Sequence, residues 1–284
     1  MKPSSNFSDP ASLDLRHAAL IRGSAREKYL PFLVAGLLMG IACFALFRLE
    51  FSFAKLGTGI VHLGTFFGLM VPPSPGTQLS ALLHALAETV AIAFLGTLLA
   101  AMLAFPLGFL AARNTMANRL VRFLARRFSD TIRGVDTLIW ALIWINVVGL
   151  GPFAGVLAIM TSDIGAFSKL YSEAIETIDR KPGEGVLSTG GSRLHAIRFG
   201  IVPQVLPILI SQTLYYFESN TRSATIIGIV GAGGIGLYLA EMIRTYEWDK
   251  VAFIILMILV TVAIIDFVSS RLRLAIVGQR TSTL

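Results

Sequence analysis

Charge is the scarcest commodity in this sequence. Only 14% of its residues are Asp, Glu, Lys or Arg, 55% are hydrophobic, and mean hydropathy is +0.73. A soluble domain carries about 25% charged residues, so a water-soluble globule is excluded and an integral membrane protein is indicated. Cysteine occurs once, at Cys43, which rules out an intrachain disulfide and a cysteine-rich metal site. Cys43 sits inside an apolar run and is expected to be a small buried hydrophobe. The four histidines are His17, His62, His84 and His195, none deep in an apolar span and none at metal-ligand spacing. His84 and His195 read as solvent-facing or interfacial. An intramembrane enzyme would need a nucleophile or metal constellation on facing spans, and these residues do not supply one. The chain also lacks any G-x-x-x-x-G-K-[ST] loop, so it does not hydrolyse ATP by that route. No internal repeat of useful length is present, so two fused homologous halves are not expected.

What is present is a series of apolar runs of about the length needed to cross a hydrocarbon core, about 20 residues. Residues 1–29 are a polar tail. The run from 30 to 47 starts late for a signal peptide and has no small-x-small cleavage site, so it reads as a retained first span. Residues 48–83 mix aromatics, glycines and "VPPSPG", and read as an external loop with an interfacial segment. Further spans are expected at about 84–110, 132–150, 152–170, 205–226 and 250–270, with a polar cytoplasmic segment from 171 to about 204. Residues 274–284 form a second tail. The fold class is all-α with about six transmembrane helices.

Six spans put both termini on one side. Nineteen Lys and Arg fall on the face that holds the termini, and four, Arg48, Lys55, Arg244 and Lys250, on the other; Arg222 belongs to neither. The positive-inside rule makes the first face cytoplasmic. The same bias accounts for the net charge of +7 without nucleic acid as a partner.

The stretch "TIIGIVGAGGIGLYLAE" (225–241) contains a literal G-x-G-x-x-G in Gly231, Gly233 and Gly236, with Gly234 between them. The run before it, 226–230, is strand-like. A dinucleotide loop also needs a βαβ unit of about 30 residues, and here a short segment is followed by an apolar run that suits a membrane helix. The topology also places these glycines near the outer face. Two readings stay open. The glycines form a bend or gate beside a pathway, where irregular backbone lines a cavity, or they form a tight packing turn with no part in transport.

The polar segment contains Glu184-Gly185-Val186, then Gly190, then nine residues, then Gly200-Ile201-Val202-Pro203. This resembles the EAA motif of ABC importer permeases, E-A-A-x3-G-x9-I-x-L-P. Glu184, Gly190 and Pro203 match in spacing. Gly185 and Val186 stand for the two alanines, Gly200 for isoleucine and Val202 for leucine. The flanks "VGLGPFAGVLA" (148–158), "KLYSEAIE" (169–176), "YFESNTRSATIIGIVGAGGIG" (216–236) and "DFVSSRLR" (266–273) are similar to the permease of phosphonate importers and their phosphite and hypophosphite relatives. The resemblance runs from about 80 to 273. It implies a type I ABC importer permease in the bacterial inner membrane, working as a homodimer. Two separate ATPase subunits would bind ATP, so this chain would hold no cofactor, and a periplasmic phosphonate-binding protein would deliver substrate. It also implies that Glu184, Gly185, Val186, Gly190 and Pro203 couple the chain to the ATPase. A small residue at 185 would let that helix seat closely, and Gly190 would allow the turn after it. An importer permease for another small solute, such as an amino acid, would share this fold and loop.

Charged groups inside a span are costly and face a partner or water. Glu218 and Arg222 are four residues apart and share a helix face. They are either a structural ion pair or, with Asn220, a station for an anion in which Glu218 holds Arg222 in place. Glu88, Asp136 and Asp163 are further polar intrusions, each read singly as a helix-packing contact.

Overall fold

The computed structural model describes residues 25–49 and 52–278, and the expectations for the terminal tails fall largely outside them. Every regular element among the described residues is helical. The chain divides into a unit ending at Phe67 and a unit beginning at Gly68. In the first lie α1 (Ala25–Arg48) and most of α2 (Phe53–Leu69). α1 is apolar from Tyr29 to Phe47, between charged ends, and is exposed along its described length. Cys43 is exposed with it, which corrects the expectation of a buried cysteine. Among the described residues of its unit no protein neighbour covers that helix, and a bilayer would solvate such a surface directly. α2 occupies part of the segment expected to be a loop. Its four glycines suggest a loop, but a helical glycine costs only about 1 kcal/mol relative to alanine, and the intervening Val, Leu, Ile and Phe keep the segment apolar.

The second unit holds α3 (Leu79–Ala111), α4 (Arg119–Arg133), α5 (Thr137–Val148), α6 (Pro152–Thr177), α7 (Lys181–Ser188), α8 (Val202–Ile229), α9 (Ile235–Arg244) and α10 (Trp248–Gly278). Among the described residues, counting α1, five helical segments are long and apolar enough to cross a membrane, or six if α4 and α5 count as one broken span.

α3 and α6 form the spine. On α3, Gly96, Ala100, Ala104 and Gly108 recur every fourth residue and so line one face. A Cβ on Gly96 would lie 2.7 Å from Ile159 Cβ, and one on Gly108 would lie 2.7 Å from Tyr171 Cβ. Contacts twelve residues apart on both helices mean that they run parallel and in register. Small residues allow this close approach, the main route to helix association where lipid is as apolar as leucine. α6 continues past the expected end at 170, because Tyr171, Ala174 and Ile175 stay buried against α3 and α8.

The third expected span, 132–150, is not one helix. α4 ends at Arg133, and α5 departs from it at 87°. Gly134 closes α4 by donating its N–H to Asp130 O at 3.1 Å. Asp136 starts α5 by accepting the Leu138 N–H at 2.9 Å, as an N-cap does. Twelve residues of α5 reach about 18 Å, short of a hydrocarbon core of about 30 Å. α5 alone is therefore too short to be the span expected at 132–150.

The run at 226–230 is helical through Ile229 rather than strand-like. Apolar β-branched residues do not distinguish a buried helix from a strand by composition alone. α8 then gives way to a bend at 230–234, from which α9 restarts.

Candidate functional site

Three places gather the residues singled out by the sequence. The first is the polar hairpin after α6. Glu184 and Gly185 are exposed on α7, and nothing lies within 4 Å of a Cβ built on Gly185. The helix ends in a Schellman motif: Gly191 N–H donates to Val186 O at 3.1 Å and Gly190 N–H to Leu187 O at 3.0 Å. Gly190 sits at φ +85°, the left-handed position that favours glycine here. The departure from the motif at Gly200 has a physical reason. Gly200 lies in a π-helical stretch, Ala196–Ile201, that backs directly onto α7, and a Cβ there would approach Gly183 Cα to 2.6 Å. An isoleucine has no room. Pro203 lies in the first turn of α8, directly after the π-helical stretch. Gln204, which the sequence did not flag, donates to both Gly200 O at 2.6 Å and Asp179 O at 3.1 Å and ties the two arms together. His195 is exposed and takes part in a local cap with Ser192. Beside the hairpin lies a cavity of about 450 Å³, bordered by Arg113, Asp179, Arg180, Glu184 and Arg193.

The second place is the middle of α8. Glu218 is buried, and its Oε1 lies 3.6 Å from an Arg222 nitrogen. Its Oε2 lies 3.5 Å from a nitrogen of Arg273, on α10. The Arg273 guanidinium also stands over the Tyr215 ring, 5.7 Å from its centre. Asn220 does not join this group. It is 5% exposed and donates to Thr97 Oγ1 at 2.9 Å and, by a short bond, to Asp163 Oδ2. The expectation that Asn220 works beside Arg222 is corrected by helix geometry: two residues apart is a rotation of about 200°, so they face opposite sides. Thr97, Asp163 and Asn220 instead knot α3, α6 and α8 together, which is the packing role expected of Asp163.

The third place is the glycine bend. Gly234 N–H donates to Glu88 Oε1 at 2.8 Å, and Ile235 N–H donates to Thr89 Oγ1 at 2.7 Å. Two α3 side chains thus satisfy orphan donors at the start of α9. Gly234 has φ +74° and ψ −165°, a region that is essentially glycine-only. Gly233 packs against Pro152: a Cβ there would fall 2.9 Å from its nitrogen. Gly231 O accepts the Gly151 N–H at 3.0 Å, and Gly236 backs onto Gly228. The bend is thereby fastened to the turn between α5 and α6 as well as to α3.

A broken-helix membrane bundle with a polar hairpin outside the apolar spans and an ion group inside one of them fits a transport subunit. Residues 104–277 match the family of binding-protein-dependent transport system inner membrane components. The chain belongs to that family, the multi-pass permeases of ABC importers in the bacterial inner membrane, which work with an ATPase and a substrate-binding protein. It is 39% identical over 259 residues, 91% of each chain, to HtxC of Stutzerimonas stutzeri, a permease named for a phosphite transport system. It is 36% identical over 248 residues to PhnE of Mycolicibacterium smegmatis, named as a phosphate-import permease; the match covers 87% of this chain and 47% of that longer protein. Among solved structures, an inward-facing form of the MetNI methionine ABC transporter aligns with TM-score 0.62 at 18% identity, over 72% of this chain and 99% of that one. This last likeness shows the type I permease fold alone.

Proposed function

We propose that two copies of this chain form the translocation pathway for phosphite, a phosphonate or a closely related phosphorus oxyanion. In this reading two separate ATPase subunits bind ATP and drive the cycle, and a periplasmic binding protein delivers the anion. The observation that carries the substrate class is the 39% identity sustained over 91% of both chains with a permease named for phosphite transport. Permeases named for D-methionine reach only 25% over about two thirds of this chain. The absence of an internal repeat supports a second copy as the other half of the route. The exposure of Glu184 and Gly185, with Val186 and Gly190 closing α7 and Pro203 opening α8, supports that hairpin as the ATPase contact. Arg222, with more than half of its side chain exposed, supports a guanidinium station for an oxyanion. The bend through Gly231, Gly233, Gly234 and Gly236 serves as the outward-side gate.

The test is uptake in proteoliposomes that contain the chain, its ATPase subunit and its binding protein. Uptake of phosphite or methylphosphonate that depends on both ATP and the binding protein is expected. Transport of methionine with neither phosphorus compound would refute the substrate class.

A further inference from the structure

Charge inside a span and i,i+4 spacing singled out one arginine in the ion group, but the fold brings two. Glu218 offers one carboxylate oxygen to Arg222 at 3.6 Å and the other to Arg273 at 3.5 Å. These are looser than charge-assisted hydrogen bonds, which run about 2.7–2.9 Å. Two guanidiniums share one carboxylate, so the group keeps one net positive charge. Each guanidinium has five N–H donors, and the contacts to Glu218 engage one nitrogen of each. The Arg222 side chain is 54% exposed, that of Arg273 22% and that of Glu218 10%. The carboxylate is therefore the most covered of the three, Arg222 is open and Arg273 is partly covered.

We infer that Arg222 and Arg273 together form a two-arginine seat for the transported phosphorus oxyanion, with Glu218 as the residue that positions both. The inference rests on the proposed substrate class. Its chemistry is already visible in the fold: a two-oxygen anion, the Glu218 carboxylate, bridges these two guanidiniums. A phosphorus oxyanion presents at least two oxygens from one centre and can bridge the same pair from the exposed side. Glu218 has a second consequence. It competes for the donors, so the seat holds its anion weakly. A pathway site must bind well enough to admit its cargo and weakly enough to release it. The sequence could not pair Arg273 with Glu218, because the arginine lies 55 positions away and reads as part of a basic cytoplasmic end.

The experiment is equilibrium binding of labelled phosphite and methylphosphonate to the purified importer complex, with uptake measured in parallel and both normalised to assembled complex. In the wild type, failure to bind or take up either compound fails the substrate reading and the seat falls with it. Given wild-type binding, Arg273→Gln is expected to weaken it at least tenfold, and Glu218→Gln to tighten it about fivefold and slow release. A purely structural ion pair predicts otherwise: both variants would lower thermal stability, and neither would move affinity in opposite directions. Binding by Arg273→Gln within twofold of wild type, or weakened binding by Glu218→Gln, overturns the seat. Should Arg273→Gln not assemble, Arg222→Gln decides, because its side chain is more exposed: a tenfold loss is expected, and affinity within twofold of wild type refutes the proposal.

Discussion

Replacing Gly234 with alanine tests the bend directly. The residue sits at φ +74°, ψ −165°, and a non-glycine residue held there costs of order 1–3 kcal/mol. The new methyl would fall against Thr89 Oγ1, the acceptor for the Ile235 N–H at 2.7 Å. If Thr89 turns aside, that buried N–H loses its partner, at roughly 1–3 kcal/mol. Strain alone gives about 1–3 kcal/mol, and the two effects together reach roughly 2–6 kcal/mol. Gly64→Ala is the matched control. It lies in α2, and nothing stands within 4 Å of the added carbon, so helix propensity favours the alanine by about 0.8–1.0 kcal/mol. Thermal unfolding of the detergent-purified chains should show a clear drop for Gly234→Ala and none for Gly64→Ala. Uptake at equal membrane abundance should fall only for the first. Equal midpoints for the two variants would refute the claim that glycine is required at this position.

The hairpin and the polar knot give two further tests. Glu184→Ala or Gly190→Val should leave membrane insertion intact while lowering both uptake and the ATPase stimulation produced by loaded binding protein; at Gly190 the left-handed backbone costs about 1–2 kcal/mol for a residue with a Cβ. Normal stimulation with both changes would make the hairpin a mere connector. Asn220→Leu removes the donor that Asp163 uses across the α6–α8 contact and should destabilise the purified chain by roughly 1–3 kcal/mol. A double-mutant cycle with Asp163→Leu should return a coupling energy of about 1 kcal/mol or more, and simple additivity would show that the two side chains do not act as a unit.

Much of the fold was legible because membrane crossing leaves a one-dimensional signature. The apolar runs around α3, α6, α8 and α10 are long, and length is what the bilayer demands. The break between α4 and α5 was not legible from hydropathy, since Gly134 and Asp136 act through local capping and read as a slightly polar start to one span. α2 was missed for the opposite reason: four glycines outweighed an apolar pattern that can form a helix. In the site, the spacing of Glu218 and Arg222 was enough to pair them. The same arithmetic of 100° per residue would have separated Asn220 from Arg222, and its partners Asp163 and Thr97 were visible only as isolated polar residues on other helices. Gly200 looked like a defect in the motif until Gly183 was found against it. Arg273 left no signal, because pairing between distant helices is set by how they pack.

The bond between Glu88 and the bend also bears on how the chain comes to be assembled. Glu88 and Gly234 are 146 positions apart. At a synthesis rate of 5–20 residues per second, roughly 7–30 seconds separate the emergence of the carboxylate from that of the amide it accepts. During that wait Glu88 stands in the first third of α3 with its eventual partner not yet made, where lipid offers no donor. The early helix must therefore keep this end near the headgroups, or be sheltered by the insertion machinery, until the last third of the protein arrives. Nascent chains stalled before and after 234 should then differ sharply in how readily α3 is extracted or cleaved, the closing of the bend marking the moment at which the bundle locks.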